Sequence, residues 1–115
     1  MASEESAGAD REWSKDELMT KGGQVYNTFC AACHQPNGQG VPPAFPALAG
    51  SAIAIGPMDG HIDRVMHGKT GTAMAAWGPQ LGDVDIAAVI TYERNSFGNT
   101  AGDVVQPAKI KVARQ

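Results

Sequence analysis

Cys30-Ala31-Ala32-Cys33-His34 is the stretch of this 115-residue sequence that decides its fold and its chemistry. A C-x-x-C-H run is the attachment signature of a c-type haem. The two thiols add to the two haem vinyl groups as thioethers, and the imidazole that follows lies under the iron as its proximal ligand. The motif therefore predicts one covalent haem c with its iron, attached at Cys30 and Cys33 and ligated by His34.

Other uses of a cysteine pair fit this sequence less well. A dithiol redox site is expected within a βαβ pattern, and no strand-like run surrounds the motif. A zinc site needs four ligands, and the chain has no second cysteine pair. A structural disulfide is disfavoured across so tight a loop.

The composition suits one small domain folded around a cofactor. Fourteen glycines and seven prolines indicate much loop. The aromatic residues are too few for a self-sufficient core, and a haem would supply the missing apolar mass. They are Trp13, Tyr26, Phe29, Phe45, Trp77, Tyr92 and Phe97.

The charge is −3 overall and is unevenly placed. Residues 1–21 hold six acidic and three basic side chains, whereas residues 22–115 hold six of each. No basic run indicates a nucleic-acid partner, and strong electrostatic steering of a protein partner is not expected.

No secretion signal and no apolar stretch long enough to span a bilayer is seen in the sequence. Haem c is attached on the exported side of bacterial membranes, so the native protein is expected to be translocated. We therefore expect a cleaved signal or a larger protein upstream, and no direct membrane insertion of this chain.

Helical patterns dominate, and no convincing strand alternation is found, so the fold class is predicted to be all-α. Residues 1–13 are interpreted as a linker or disordered tail. Ser14 and Glu17 form a capping box that begins a helix. One face of that helix is expected to hold Leu18, Gly22, Val25, Tyr26 and Phe29.

Two further helices are predicted, over Gly60–His67 with Asp59 as its cap and from Val84 to about Ser96 with Asp83 as its cap. A turn of helix is expected near Ala44–Ala49. Residues 99–115 show no clear pattern and are interpreted as a tail. The domain is thus placed at residues 14–98.

The iron needs a second axial ligand, and five side chains are candidates: Met58, Met66, Met74, His61 and His67. Met74 is favoured because it lies in a loop of small residues with glycines at both ends, Lys69–Gly78, which suits a segment lying flat against a haem. Met58 is the next choice. Met66 is expected to pack in the core, and the two histidines to lie at the surface or at helix ends.

The order of these features over residues 14–98 resembles the class I mono-haem cytochrome c family. The resemblance implies three to five short helices around the haem, with Gly22 and Tyr26 packed on the last helix against Val89 and Tyr92. It also implies a proline carbonyl that accepts the N–H of the proximal histidine. That role falls to Pro43, with Pro42 as the alternative. Trp77 either donates its indole N–H to a haem propionate or covers a haem edge.

Residues 33–48, 71–78, 84–99 and 102–107 look more specifically like the cytochrome c domain fused to subunit II of caa(3)-type cytochrome c oxidases. This likeness implies a monomeric domain on the periplasmic side of the membrane, tethered through residues 1–13 to a dinuclear copper (CuA) domain. The electron donor would be a bc1 complex or a soluble cytochrome c.

The function implied is one-electron transfer without catalysis. A mainly apolar docking contact is expected around the exposed haem edge, near Cys30, Ala31, Ala32, Val41 and Met74, with a weak salt dependence of the transfer rate. One alternative is a free-standing periplasmic cytochrome c. The other is a haem enzyme or gas sensor whose sixth iron position is open, which requires that Met74 does not bind.

Overall fold

The computed structural model describes residues 11–41, 47–69 and 74–114. These ranges are mostly helical and contain no β-strand, so the all-α prediction is confirmed. The helices are α1 (Lys15–Val25), α2 (Ala31–His34), α3 (Ala52–Ile55), α4 (Met58–His67), α5 (Asp83–Arg94) and α6 (Pro107–Ala113). In the described part, no helix is both long and apolar enough to cross a bilayer.

Helix α1 begins at the predicted capping box. The Ser14 hydroxyl accepts the N–H of Glu17 at 3.1 Å, and the Glu17 carboxylate accepts the N–H of Ser14 at 2.9 Å. Hydrogen bonds from Arg11 and then from the Ser14 backbone lower the pKa of Glu17 to about 2. The carboxylate therefore remains charged, and the cap intact, over most of the acidic range.

A π-helical turn, Tyr26–Cys30, joins α1 to α2 and carries the chain directly into the C-x-x-C-H motif. The sequence pattern did not predict this wider turn, which shifts the phase of the side chains that follow it. Phe29 was expected on the buried face of α1, but its side chain is 43% exposed. The π turn thereby moves an aromatic ring out of the helix interface.

Helices α1 and α5 cross at backbone contact. A Cβ on Gly22 would overlap the carbonyl oxygen of Ala88 and lie 2.7 Å from Cβ of Tyr92. One turn further along, the ring of Tyr26 lies 5.6 Å from that of Tyr92 and 5.1 Å from that of Phe97. Gly22 and Tyr26 thus pack on the last helix of the predicted domain, although Ala88 rather than Val89 lies against Gly22.

Three predicted boundaries need correction. Asp59 lies in the first turn of α4, which begins at Met58 after Pro57, and Asp83 is the first residue of α5 rather than its cap. Helix α5 ends at Arg94. The turn of helix expected near Ala44–Ala49 lies partly outside the described residues, and its described part is not helical.

Helix α3, whose N-cap is Ser51, was not predicted from the sequence. The Ser51 hydroxyl accepts the N–H groups of Ile53 and Ala54 at 3.2 and 3.3 Å. Four residues are too few to show helical periodicity, so the cap at Ser51 is the main local signal for this helical turn.

The segment after Phe97 is not an unpatterned tail. Val105 and Ile110 are fully buried in the same core as α1 and α5, and Pro107 begins helix α6. The Thr91 hydroxyl accepts the N–H of Val105 at 3.0 Å, which fixes this segment to α5. The described residues up to Arg114 therefore belong to one packed unit.

Arg94 ties the same segment to the start of α4. Its guanidinium is bidentate to Asp103, at 2.7 and 2.9 Å, and donates to the carbonyl of Gly56 at 2.8 Å. The bonds from Arg94 hold the pKa of Asp103 below its ordinary value. Arg94 is buried, so this pair resists solvent screening better than a surface pair does.

The helix crossing leads to a first prediction. We expect Gly22→Ala to lower the free energy of unfolding by about 1–3 kcal/mol, because the added methyl group meets backbone atoms that cannot move aside. Gly60→Ala is the matched control: it lies inside α4 with nothing within 4 Å of its Cβ position, so alanine should stabilise by about 0.5–1 kcal/mol. Urea unfolding of the two variants would contradict this interpretation if both moved in the same direction.

Candidate haem site

A crevice of about 410 Å³ opens beside the C-x-x-C-H motif, between α3, α4, α5 and the segment after α4. Cys30, Cys33 and His34 line it, and Met74 and Trp77 line it as well. The structure therefore brings all the predicted site residues among its described part to one cavity. Pro43 and its alternative Pro42 lie outside the described residues.

The wall suits a large apolar ring with two axial ligands. Much of it is aliphatic, and His34 and Met74, which both line it, would offer a nitrogen and a soft sulfur donor, a pair typical of electron-transfer haems. The aliphatic part of the wall consists of Leu48, Ile53, Ala54, Val65, Leu81 and Val89.

The end of α2 presents His34 through contacts that leave its backbone little freedom. Gln35 has φ of 68°, which ends the helix directly after the histidine. The hydroxyl of Tyr26 donates to the carbonyl of Gln35 at 2.6 Å, and the N–H of Gly40 donates to the carbonyl of His34 at 2.8 Å. The backbone next to His34 is thus held by Tyr26, the same residue that packs on α5.

Met74 is presented by a segment bonded to the C-terminal half of α4. The N–H of Trp77 donates to the carbonyl of Val65 at 3.0 Å, and the N–H of Gly78 donates to that of Met66 at 3.1 Å. Gly68 ends α4 with φ of 69°, and a Cβ there would lie 2.6 Å from the Met74 carbonyl oxygen. A glycine is needed at this position both for its backbone conformation and for the close approach of the segment.

Three of the other candidate ligands do not line the crevice. Met66 is 4% exposed and packs in the core, as predicted. Met58 packs against that core and does not line the crevice. His67 is exposed, and its Nε2 lies 3.8 Å from Oδ1 of Asp63.

His61 contradicts its expected surface position. It is 2% exposed and lines the crevice. Its Nε2 donates to Oε1 of Glu93 at 2.7 Å, while its Nδ1 has no hydrogen-bond partner among the described residues. Neither residue by itself predicts this pair, because the two lie 32 positions apart in the chain. The signal was the position of Glu93, seven residues after Ile86 and four after Val89, on the apolar stripe of α5.

Trp77 and Phe29 form an aromatic pair at the crevice, with ring centroids 5.5 Å apart and planes at 60°. Phe29 is the more exposed of the two and was not predicted to belong to the site. The role of Trp77, as a propionate donor or as a cover for a haem edge, stays a prediction.

The chemistry of Cys30 disfavours a dithiol redox site. Burial, followed by the negative charge of Glu93, raises the pKa of its thiol to about 12. Redox-active cysteines need a lowered pKa, because the thiolate is the reactive form. Both cysteines are unpaired, and the described ranges hold no group of three or more His, Cys, Asp or Glu side chains that could bind a metal ion.

Comparison with known proteins decides the family. A family model described as cytochrome c oxidase, cbb3-type, subunit III matches residues 17–92. The chain belongs to this cytochrome c family. As a cytochrome c domain it carries one covalent haem c with iron and transfers electrons, and its Cys30 and Cys33 fit a C-x-x-C-H motif.

The relatives of this cytochrome c domain differ in length. The cytochrome c subunit of a quinone-type alcohol dehydrogenase from Gluconobacter oxydans is 30% identical, and the match covers 84% of the chain and 24% of the subunit. The gluconate 2-dehydrogenase cytochrome c subunit of Pantoea cypripedii is 29% identical, covering 90% of the chain and 26% of the subunit. Cytochrome c-552 of Thermus thermophilus is 34% identical over 92 residues, covering 68% of the chain and 69% of that protein.

The chain therefore spans about a quarter of the length of the two dehydrogenase subunits that it matches. These relatives support a cytochrome c domain, and they do not single out subunit II of a caa(3)-type oxidase.

The buried pair gives a second prediction, which a double-mutant cycle tests. His61→Leu and Glu93→Leu should each lower the free energy of unfolding of the haem-loaded protein by about 1–3 kcal/mol, because each leaves its partner buried without a hydrogen bond. The double variant should lose less unfolding free energy than the two single variants lose together, since both polar groups are then gone.

The matched control is the exposed pair Lys109–Asp59, whose atoms lie 3.1 Å apart. Its alanine cycle should give a coupling below about 1 kcal/mol. Additive losses at His61 and Glu93 in urea unfolding would contradict the assignment of a coupled pair.

Proposed function

We propose that this domain is a one-electron relay of a respiratory chain, with its haem attached at Cys30 and Cys33 and its iron held by His34 and Met74. The observation that carries the proposal is the single crevice that the C-x-x-C-H motif and Met74 share. When bound, the haem supplies an iron that cycles between the ferrous and ferric states.

The chain's own residues suit it to electron transfer rather than to catalysis. If His34 and Met74 both hold the iron, a substrate would have no access to the metal. Backbone hydrogen bonds hold the segments of both ligands, so little rearrangement accompanies a change of charge. The aliphatic part of the wall would shield a bound haem from water, which would favour the less charged ferrous state and raise the reduction potential.

The edge of the crevice offers an apolar docking surface. Phe29 and Ile53 line the crevice and are 43% and 37% exposed. With equal numbers of acidic and basic side chains in residues 22–115, the transfer rate is expected to depend weakly on salt.

In the favoured assignment, the domain takes electrons from a bc1 complex or a soluble cytochrome c. It passes them to the CuA centre of the oxidase subunit to which residues 1–13 tether it, on the periplasmic side of the inner membrane. The likeness of residues 84–99 and 102–107 to caa(3)-type subunit II supports this assignment. A tether keeps the local concentration near the millimolar range, so a weak contact suffices.

A second assignment follows from the relatives. Two are cytochrome c subunits of dehydrogenases, in which the matching domain is about a quarter of the subunit. In this assignment the domain accepts electrons from a dehydrogenase, and in a third it is a free-standing periplasmic cytochrome c.

The three assignments are distinguished by haem-stained electrophoresis of membrane and periplasmic fractions from the native source, probed with an antibody to this domain. A membrane band well above 12.0 kDa that co-purifies with copper supports the oxidase assignment, and one that co-purifies with a dehydrogenase subunit supports the second. A periplasmic band near 12.0 kDa indicates the free cytochrome.

The ligand assignment gives a third prediction. Met74→Ala should open the iron, so that the ferrous protein binds carbon monoxide at neutral pH and the reduction potential falls, because the soft sulfur donor is lost. Met66→Leu is the matched control, since this buried methionine lies outside the crevice wall. It should keep the native spectrum and resist carbon monoxide.

A native spectrum in Met74→Ala would show that another side chain holds the iron. Carbon monoxide binding by the unmutated ferrous protein would instead indicate the open sixth position of a haem enzyme or gas sensor.

A further inference from the structure

The last described residue, Arg114, contacts the segment that carries Met74. Its Nη1 donates to the carbonyl of Gly78 at 2.6 Å, and its Nη2 donates to that of Leu81 at 2.7 Å. Its Nε pairs with the carboxylate of Asp83, the first residue of α5. One guanidinium therefore bonds three groups between Gly78 and the start of α5.

Arg114 reaches these groups from an element that is itself well fixed. It directly follows α6, and its N–H donates to the carbonyl of Ile110 at 3.1 Å. Ile110 is fully buried in the core, and Pro107 at the start of α6 is buried as well. The position of Arg114 is thus set by the packing of α6 on α5 and not by the segment that it contacts.

Both backbone groups of Gly78 form hydrogen bonds. Its N–H donates to the carbonyl of Met66 in α4, and its carbonyl accepts from Arg114. Gly78 is buried, and its Cβ position would lie 3.0 Å from the Met66 carbonyl oxygen. The peptide groups that follow Met74 are therefore held between α4 on one side and Arg114 on the other.

We propose that Arg114 is a positioning residue for the axial methionine: by fixing Gly78 and Leu81 it keeps the Met74 segment closed over the crevice. This inference rests on the proposed ligation of the iron by Met74. The planar guanidinium suits the role, since its several donors in a rigid fork bond neighbouring carbonyls together, whereas an ammonium group acts as a point charge.

Segments with few buried contacts open locally without unfolding of the whole protein. Loss of the Arg114 bonds should raise the population in which Met74 has left the iron. An external ligand that binds only that open state then binds with an apparent affinity proportional to its population. Imidazole added to the ferric protein is a suitable probe.

The fourth prediction compares two variants of the C-terminal helix. Arg114→Gln should bind imidazole about tenfold more tightly than the unmutated ferric protein, in proportion to the larger open population. Lys109→Gln is the matched control, because Lys109 lies on α6 and bonds Asp59 of α4 without contacting the Met74 segment. Its imidazole affinity should stay within about twofold of the unmutated value.

Arg114→Lys and a global measurement separate positioning from general stability. Lysine keeps the charge but not the fork, so the imidazole affinity of Arg114→Lys should lie between that of Arg114→Gln and that of the unmutated protein. Denaturant unfolding followed by far-ultraviolet circular dichroism gives the global stability of each variant. The inference is overturned if imidazole affinity in Arg114→Gln rises no more than in Lys109→Gln, or if it rises only as far as the loss of global stability accounts for.

Failure of the underlying ligand assignment has a different signature. If the unmutated protein lacks the methionine–iron band and binds imidazole as tightly as Met74→Ala does, then Met74 is not the ligand and the role of Arg114 falls with it. If the unmutated protein has the band and Arg114→Gln binds imidazole no more tightly than Lys109→Gln does, only the role of Arg114 is wrong.

Discussion

The contact between Gly22 and the backbone of Ala88 is the constraint on which the rest of the structure depends. With no side chain at Gly22, α1 and α5 cross at backbone distance, which places Tyr26 against the aromatic rings that follow. Tyr26 then bonds the carbonyl of Gln35 at the end of the C-x-x-C-H motif. The helix crossing and the position of the proximal histidine are therefore one feature, since a shift in the crossing would displace His34.

The two walls of the crevice are built by different means. The motif side is a continuous helical rod with a π turn, so its geometry is set by local hydrogen bonds and by packing on α5. The methionine side has no regular structure of its own among its described residues and depends on bonds to α4 and to Arg114. Such a segment is positioned by its neighbours, which makes the far C-terminal helix part of the site.

The relatives indicate a domain that is used as a module. It makes up about a quarter of the two dehydrogenase cytochrome subunits and matches most of cytochrome c-552. The same kind of domain therefore occurs in proteins of different length and name. The fold by itself does not determine the partners of such a domain.

The sequence by itself determined the features that depend on near neighbours along the chain: the C-x-x-C-H motif, the Ser14–Glu17 capping box and the glycine-bounded loop around Met74. Spacing within a few residues decides these. Only the tertiary structure decided that His61 meets Glu93 and that Arg114 reaches Gly78, because these residues come together through the packing of α4, α5 and α6. The burial of Val105 and Ile110 was also decided by the tertiary structure. Their segment contains a proline and is too short to show a helical hydrophobic pattern, so only its packing on the core reveals that these side chains are buried.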